Sequence, residues 1–177
     1  MQRLILSSPL LKITISRLCQ QLIENHQDFE NTVILGLQPR GVFLAKRIHQ
    51  ELESLTAKKI NYGQLDATFY RDDYRRRETV SPNATKIPFV IEQKKVILID
   101  DVISTARMVR AALDAMTAYG RPESVELLVL IDRQYNRDLP IQPNYTGKKV
   151  NTLDSQKVLV ELSEQGHAQD NIWLIDL

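Results

Sequence analysis

Cysteine is almost missing from this chain. The single Cys19 cannot close an intramolecular disulfide, and the three histidines, His26, His49 and His167, are too scattered to give metal-ligand spacing. A structural zinc site is not expected. An excess of one charge is missing too: 23 Lys and Arg face 22 Asp and Glu, for a formal net charge of +1. The whole molecule generates no strong field, so a nucleic-acid contact would need a local patch. No apolar run approaches the roughly 20 residues of a bilayer span. The short N-terminal run Leu4 to Leu6 is broken by Ser7, Ser8 and Pro9 before a signal-peptide core can form. The expectation is a soluble, cytoplasmic protein with no membrane partner.

What is present is material for one well-buried core: 177 residues, 43% of them hydrophobic. One domain over 1–177 is expected. Ile15, Leu18, Cys19, Leu22 and Ile23 recur at helical spacing, which predicts a helix from Thr14 to Asn25 capped by Thr14 or Ser16. Cys19 falls in that stripe as a core residue. "TVILGL", "QPRG" and the stripe Val42, Leu44, Ala45, Ile48 and Leu52 read as strand, tight turn and helix. A strand is expected across "LDATFY", and a long mobile loop or hairpin from Arg71 to Lys86. "KKVILID" does not alternate, as befits the centre of a parallel sheet. "SVELLVLID", "KVLVEL" and "IWLID" are further strands. Strands alternating with helices give an α/β class: a mainly parallel central sheet flanked by helices.

The junction "VILIDDVISTARMVRAALDAM" carries the chemistry. In an open parallel sheet the ligand crevice lies beyond the carboxyl ends of the strands, where Asp100 and Asp101 are expected. Neighbouring carboxylates repel, so a fold that keeps them together suits a cation or hydroxyl groups that donate to both. Ser104, Thr105 and the first amides of the next helix favour an anion. Acids beside an anion cradle suit a sugar phosphate. Solvated acids with hydroxyls that merely cap the helix are an equal reading of these residues alone. A nucleotide triphosphatase is a poor fit, because Gly147-Lys148 lacks the upstream Gly and the following Ser or Thr of G-x-x-x-x-G-K-[ST]. A phosphoacceptor receiver domain is a poor fit as well, because too little chain follows Asp101.

"VILIDDVISTARM" resembles the phosphoribosyl pyrophosphate (PRPP) motif of type I phosphoribosyltransferases: four apolar residues, two acids, a spacer, then Thr-Gly-x-Thr. "GLQPRGVFLAKRI", "LDATFYRDD", "AALDAMTAYGRPESVELLVLIDR" and "DLPIQPNYTGKKVNT" are similar, in order and spacing, to the pyrimidine-operon regulators of that family, which also have uracil phosphoribosyltransferase activity. The likeness runs from Ser16 to Leu162. It implies the type I fold with a flexible loop begun by Tyr70, Arg71 and Asp72, and a transfer from PRPP to uracil that gives UMP and pyrophosphate. Asp100 and Asp101 would hold the ribose hydroxyls, while Ser104, Thr105, Ala106, Arg107 and Met108 would wrap the 5′-phosphate. Gln38, Pro39, Arg40 and Gly41 would form the pyrophosphate turn, and Asp100, Asp101, Arg40 and Arg71 would be catalytic. Mg2+ would come with PRPP, with no metal ligand supplied directly by the protein, and the chain would form a homodimer or higher homo-oligomer. An RNA leader would be held by Arg17, Arg133, Arg137, Lys148 and Lys149, although Gln20, Asn25 and Gln142 are neutral where basic residues are expected. Three departures bear on activity. Ala106 replaces Gly, Met108 replaces a Thr hydroxyl, and Pro39 removes an amide. Losing one hydrogen bond to a charged group removes roughly 1.5–3 kcal/mol, so weakened phosphate binding is expected.

Overall fold

The computed structural model describes residues 2–73 and 81–177. The chain runs β1 (Gln2–Ser7), α1 (Ser8–His26), β2 (Thr32–Leu37), α2 (Gly41–Thr56), β3 (Asn61–Leu65), β4 (Lys95–Ile103), α3 (Arg107–Met116), β5 (Ser124–Gln134), β6 (Tyr145–Asn151), β7 (Gln156–Glu161) and β8 (Asn171–Asp176). Five strands form a parallel sheet in the order β3-β2-β4-β5-β6, and three form a separate antiparallel sheet in the order β1-β8-β7. The α/β class with a mainly parallel sheet is thus observed. Among the described residues no helix is long and apolar enough to cross a membrane.

Non-alternating sequence explains the centre of the large sheet. Every residue of β2 is buried, as are Val96 to Ile99 of β4 and Leu127 to Ile131 of β5. Each fully buried Leu, Ile or Val side chain contributes about 1.5–3 kcal/mol of transfer free energy. One core lies between the sheet and α1 and α2, and includes Val160, Leu162 and Ile172 of the small-sheet region. A second lies under α3, from Val33 and Leu35 to Val109, Ala112 and Met116. Cys19 belongs to the first core, where burial, aided by Glu51, pushes its thiol up to about 12. It is a packing residue, as its helical spacing predicts.

Several expectations need correction. Helix α1 begins at Ser8, because Ser7 is its N-cap residue and Pro9 fits the first turn. Thr14 lies inside it, its hydroxyl donating back to the Leu10 carbonyl at 2.9 Å. The strand expected across "LDATFY" ends at Leu65. The Asp66 carboxylate then accepts from the Thr68 hydroxyl at 2.8 Å, and a short 3₁₀ turn covers Thr68–Tyr70. β7 and β8 do not extend the parallel sheet; β8 pairs with β7 on one side and on the other with β1, a strand the sequence does not announce, as β6 also is. Within the loop expected from Arg71 to Lys86, residues 74–80 lie outside the described residues, including the run Arg75 to Arg77. Its far end is anchored, since Gln64 and Lys86 exchange backbone hydrogen bonds of 2.8 and 2.7 Å.

At the amino ends of the strands, polar groups form a linked, partly buried set. His26 bridges the Thr32 hydroxyl (Nδ1, 3.0 Å) and Glu126 (Nε2, 2.9 Å). Tyr145 donates to Glu126 at 2.6 Å and accepts from Asn25 at 2.8 Å. Burial raises the Glu126 carboxyl, but Tyr145, His26 and Lys95 outweigh it and leave the group below its ordinary 4.5. A lowered folded value stabilises the protein above the unfolded value and loses that contribution as pH falls through the folded one. Glu126→Gln is therefore expected to cost about 1–2 kcal/mol in urea unfolding at pH 7. The deficit relative to the parent should shrink below pH 4.5; a deficit independent of pH would contradict the assignment.

Candidate active site

Asp100 and Asp101 lie within β4, where the ladder continues past them: Asp100 pairs with Val129, Val102 with Ile131 and Ile103 with Asp132. The sequence predicts them at the strand end; the ladder runs past them and fixes both backbones. Local hydrogen bonds orient their carboxylates. Asp100 Oδ1 accepts from the Asp101 amide and Asp101 Oδ1 from the Val102 amide, each at 2.8 Å.

The turn between β2 and α2 reaches them from the side. Its Gln38–Pro39 peptide is cis. Arg40 Nε lies 3.0 Å from Asp101 Oδ2, a buried atom with no aligned hydrogen bond, and Arg40 Nη2 donates to the Val160 carbonyl of β7 at 3.3 Å. Gly41 follows, and a Cβ there would stand 2.6 Å from the Ile99 carbonyl oxygen and 2.9 Å from Asp100 Oδ1. Only glycine lets α2 start against the acid-bearing strand. Gln38 is held by its amide to the Leu65 carbonyl at 2.9 Å and by its side chain to Gln64 at 3.0 Å.

A cleft of about 250 Å³ gathers turn residues Gln38, Pro39 and Arg40, both acids with Val102, Met108 from α3, and Val158 from β7. Val158 was not foreseen, since "KVLVEL" reads as a strand without saying which face meets a site. Burial raises the carboxyls of both Asp100 and Asp101. For Asp100 the neighbouring Asp101 adds to the rise, and for both Arg40 opposes it.

Ala106 occupies the left-handed region at φ 70°, ψ 4°, immediately before α3, and is buried. This is the conformation that glycine adopts at no steric cost and alanine does not. Thr105 Oγ1 sits 3.4 Å from the Arg107 amide. Arg107 extends along the surface to Asp138 at 2.8 Å and Asp72 at 2.6 Å, and Arg110 donates to the Tyr70 carbonyl at 3.0 Å. Arg71 forms a two-bond pair with Asp73, at 2.8 and 2.7 Å. The start of the expected flexible loop is therefore tied to α3, with Arg71 turned to its own segment.

Most of the residues named for RNA contact also bond within the protein. Arg17 donates to the Gly147 carbonyl at 2.6 Å, Arg133 to the Gln156 carbonyl at 2.7 Å, and Lys148 to the Ile5 carbonyl at 3.2 Å. Arg137 bonds Asp132 at 2.6 Å, and Lys149 is exposed on β6.

Two outcomes follow from this geometry. The raised Asp100 carboxyl makes the folded state bind more protons than the unfolded one, so its contribution falls as pH rises from 3.8 toward its folded value. Asp100→Asn keeps the oxygen that accepts the Asp101 amide and removes the repulsion. It should raise stability at pH 7 by about 1 kcal/mol in thermal unfolding; a loss of stability would refute the electrostatic account. Ala106→Gly relieves a left-handed conformation worth about 1–2 kcal/mol but adds chain entropy of about 0.5–1 kcal/mol, for a net gain of about 0.5–1 kcal/mol in the same measurement.

Comparison with known proteins identifies this architecture. The phosphoribosyl transferase domain family matches residues 1–165. Proteins named bifunctional protein PyrR are similar over most of the chain. That of Gloeothece citriformis is 48% identical over 158 residues, covering 89% of each chain. That of Synechocystis is 43% identical over 171 residues, covering 97% of this chain and 95% of its own, and that of Bacillus subtilis is 38% identical with 90% coverage of each. Among solved structures, a hypoxanthine phosphoribosyltransferase of Trypanosoma cruzi superposes with a TM-score of 0.74 over 98% of this chain and 96% of its own, at 12% identity. A hypoxanthine-guanine phosphoribosyltransferase of Bacillus anthracis gives 0.65 over 84% of each chain, at 18% identity. These last two share the fold; with the family match and the PyrR relatives, they establish that the chain belongs to the phosphoribosyltransferase family.

Proposed function

We propose that the cleft binds PRPP and transfers its ribose 5-phosphate to uracil or a related base, yielding UMP or the corresponding nucleotide and pyrophosphate. The observation that carries this reading is the convergence of the acid pair, the Gln38–Gly41 turn and the start of α3 on one cleft. Asp100 and Asp101 are acceptors for the ribose 2′ and 3′ hydroxyls, whose donated protons relieve the repulsion between them. The amides and hydroxyls of Ser104 through Met108 receive the 5′-phosphate at a helix start. Gln38, Pro39, Arg40 and Gly41 face the diphosphate, where Arg40 offers charge-assisted bonds.

In the reaction a pyrimidine nitrogen forms a bond to C1 of the ribose as the bond from C1 to the diphosphate oxygen breaks, through an oxocarbenium-like state. No protein nucleophile is required. Positioning, charge stabilisation and exclusion of water by the segment that starts at Tyr70, Arg71 and Asp72 supply the catalysis. Arg71 reaches the leaving diphosphate by exchanging its Asp73 partner. Asp100 and Asp101 would accept from water on a magnesium ion carried by the diphosphate of PRPP. Such an ion would supply charge neutralisation on the leaving diphosphate. Ala106 and Met108 make phosphate binding weaker by about tenfold to a hundredfold than a Gly and a Thr would.

The second reading is a non-catalytic nucleotide- or RNA-binding regulator of pyrimidine genes, favoured by Ala106, Met108 and Pro39 where the motif has Gly, Thr and a residue with a free amide. The internal bonds of Arg17, Arg133, Arg137 and Lys148 weigh against a ready-made RNA surface. A homodimer or higher homo-oligomer belongs to the same proposal, supported by Leu10 and Ile13 standing exposed on α1.

Purified protein mixed with PRPP, magnesium and uracil should release UMP and pyrophosphate slowly. The double variant Ala106→Gly, Met108→Thr should be about tenfold faster or more. If neither forms product and calorimetry detects no PRPP binding, the enzymatic reading fails. Salt-dependent retention on a pyrimidine-operon leader transcript tests the RNA reading, and no retention at low salt removes it.

A further inference from the structure

We propose that Asp132 and Arg137 form a buried brace that positions the phosphate-binding turn by holding its carbonyl groups. The inference rests on the reading of that turn as a phosphate site and assigns it two residues that do not touch the ligand.

Asp132 stands opposite Ile103 in the β4–β5 ladder, one residue before the turn begins. It is wholly buried and accepts from Gln134 Nε2 at 2.8 Å and from Arg137 Nη2 at 2.6 Å. The side chains of the pair are 1% and 15% exposed. A buried ion pair is often no more stabilising than apolar residues of the same size, so its presence calls for a role other than stability. Its other contact supplies one. Arg137 Nη1 donates to the Ser104 carbonyl, while the Asp138 and Leu139 amides donate to the Thr105 carbonyl at 3.1 and 3.3 Å. Both leading carbonyls of the turn are thus fixed from behind.

A trans peptide points its C=O and its N–H in opposite directions. Holding the carbonyls of Ser104 and Thr105 against the 137–139 segment therefore turns the amides of Thr105 and Ala106 the other way, as an anion cradle needs. The brace matters more here than in a glycine-bearing turn, because Ala106 has no intrinsic preference for φ 70°. The residue type fits the task. A planar guanidinium can bond a carboxylate with one Nη and a carbonyl with the other, whereas an ammonium offers a single point. Arg137 Nε is buried without a hydrogen-bond partner, so the side chain is held for its two Nη contacts. With both Nη groups engaged, Arg137 is not a free surface cation for nucleic acid.

The test compares the native protein with Arg137→Lys and with the double variant Asp132→Asn, Arg137→Met, which leaves no lone buried charge. PRPP binding is followed by calorimetry, turnover by the KM for each substrate, and local order by amide hydrogen exchange. The double variant should bind PRPP about tenfold more weakly, with a raised KM for PRPP and an unchanged KM for the base. Exchange should quicken at 104–107 and not in β2, and Arg137→Lys should fall between. Native PRPP affinity with native exchange at 104–107 in the folded double variant would overturn the brace. Exchange that quickens evenly across the fold would also overturn it, as the mark of a purely structural pair. Absence of PRPP binding by the native protein would instead overturn the ligand assignment, while the exchange comparison would still decide whether the pair orders the turn.

Discussion

Two carboxylates side by side inside an apolar strand are expensive, and the surroundings of Asp100 and Asp101 are organised by that expense. Burial and mutual repulsion favour the protonated form of Asp100, while Arg40 and the local amides draw Asp101 back toward its charged form. Removing the repulsion would be easy, by a substitution of either acid. Hydroxyl donors from a ligand, as proposed for the ribose, would relieve that repulsion.

The supporting structure follows from keeping those groups in place. Gly41 exists so that α2 can begin against β4, and α2 must begin there so that Arg40 can face Asp101. β4 extends as far as Ile103 because β5 pairs with it through Asp132, and the same aspartate fastens the segment behind the turn that leads into α3. The acid pair and the turn are thereby supported from opposite sides by neighbours of one strand.

The large sheet was legible because non-alternating runs such as "TVILGL" and "KKVILID" can only be buried on both faces. The site segments were legible because adjacent acids, a Gly after an Arg, and a hydroxyl turn before a helix each carry a chemical reason. The rest depended on contacts distant in sequence. "KVLVEL" and "IWLID" look like any strands, and nothing local reveals that they pair with each other and that the second also pairs with the N-terminal Gln2–Ser7. "LDATFY" has strand-like composition, yet the Asp66 carboxylate captures Thr68 and turns the chain. Arg137 reads as a surface cation until Asp132, five residues away in a buried strand, is seen to hold it. The steric demand on Ala106 was readable in outline, since the motif it departs from carries a glycine there, but the angle itself required coordinates.

Arg40 spans the two sheets with a single side chain, one nitrogen toward Asp101 and another toward the Val160 carbonyl of β7. An anion that recruits this guanidinium competes with a backbone acceptor of the small sheet. Thermodynamic reciprocity then requires that whatever displaces β7 change anion affinity by the same factor that the anion changes the stability of β7's seat. The small sheet, which already lines the cleft through Val158, would in that case be coupled to its occupancy.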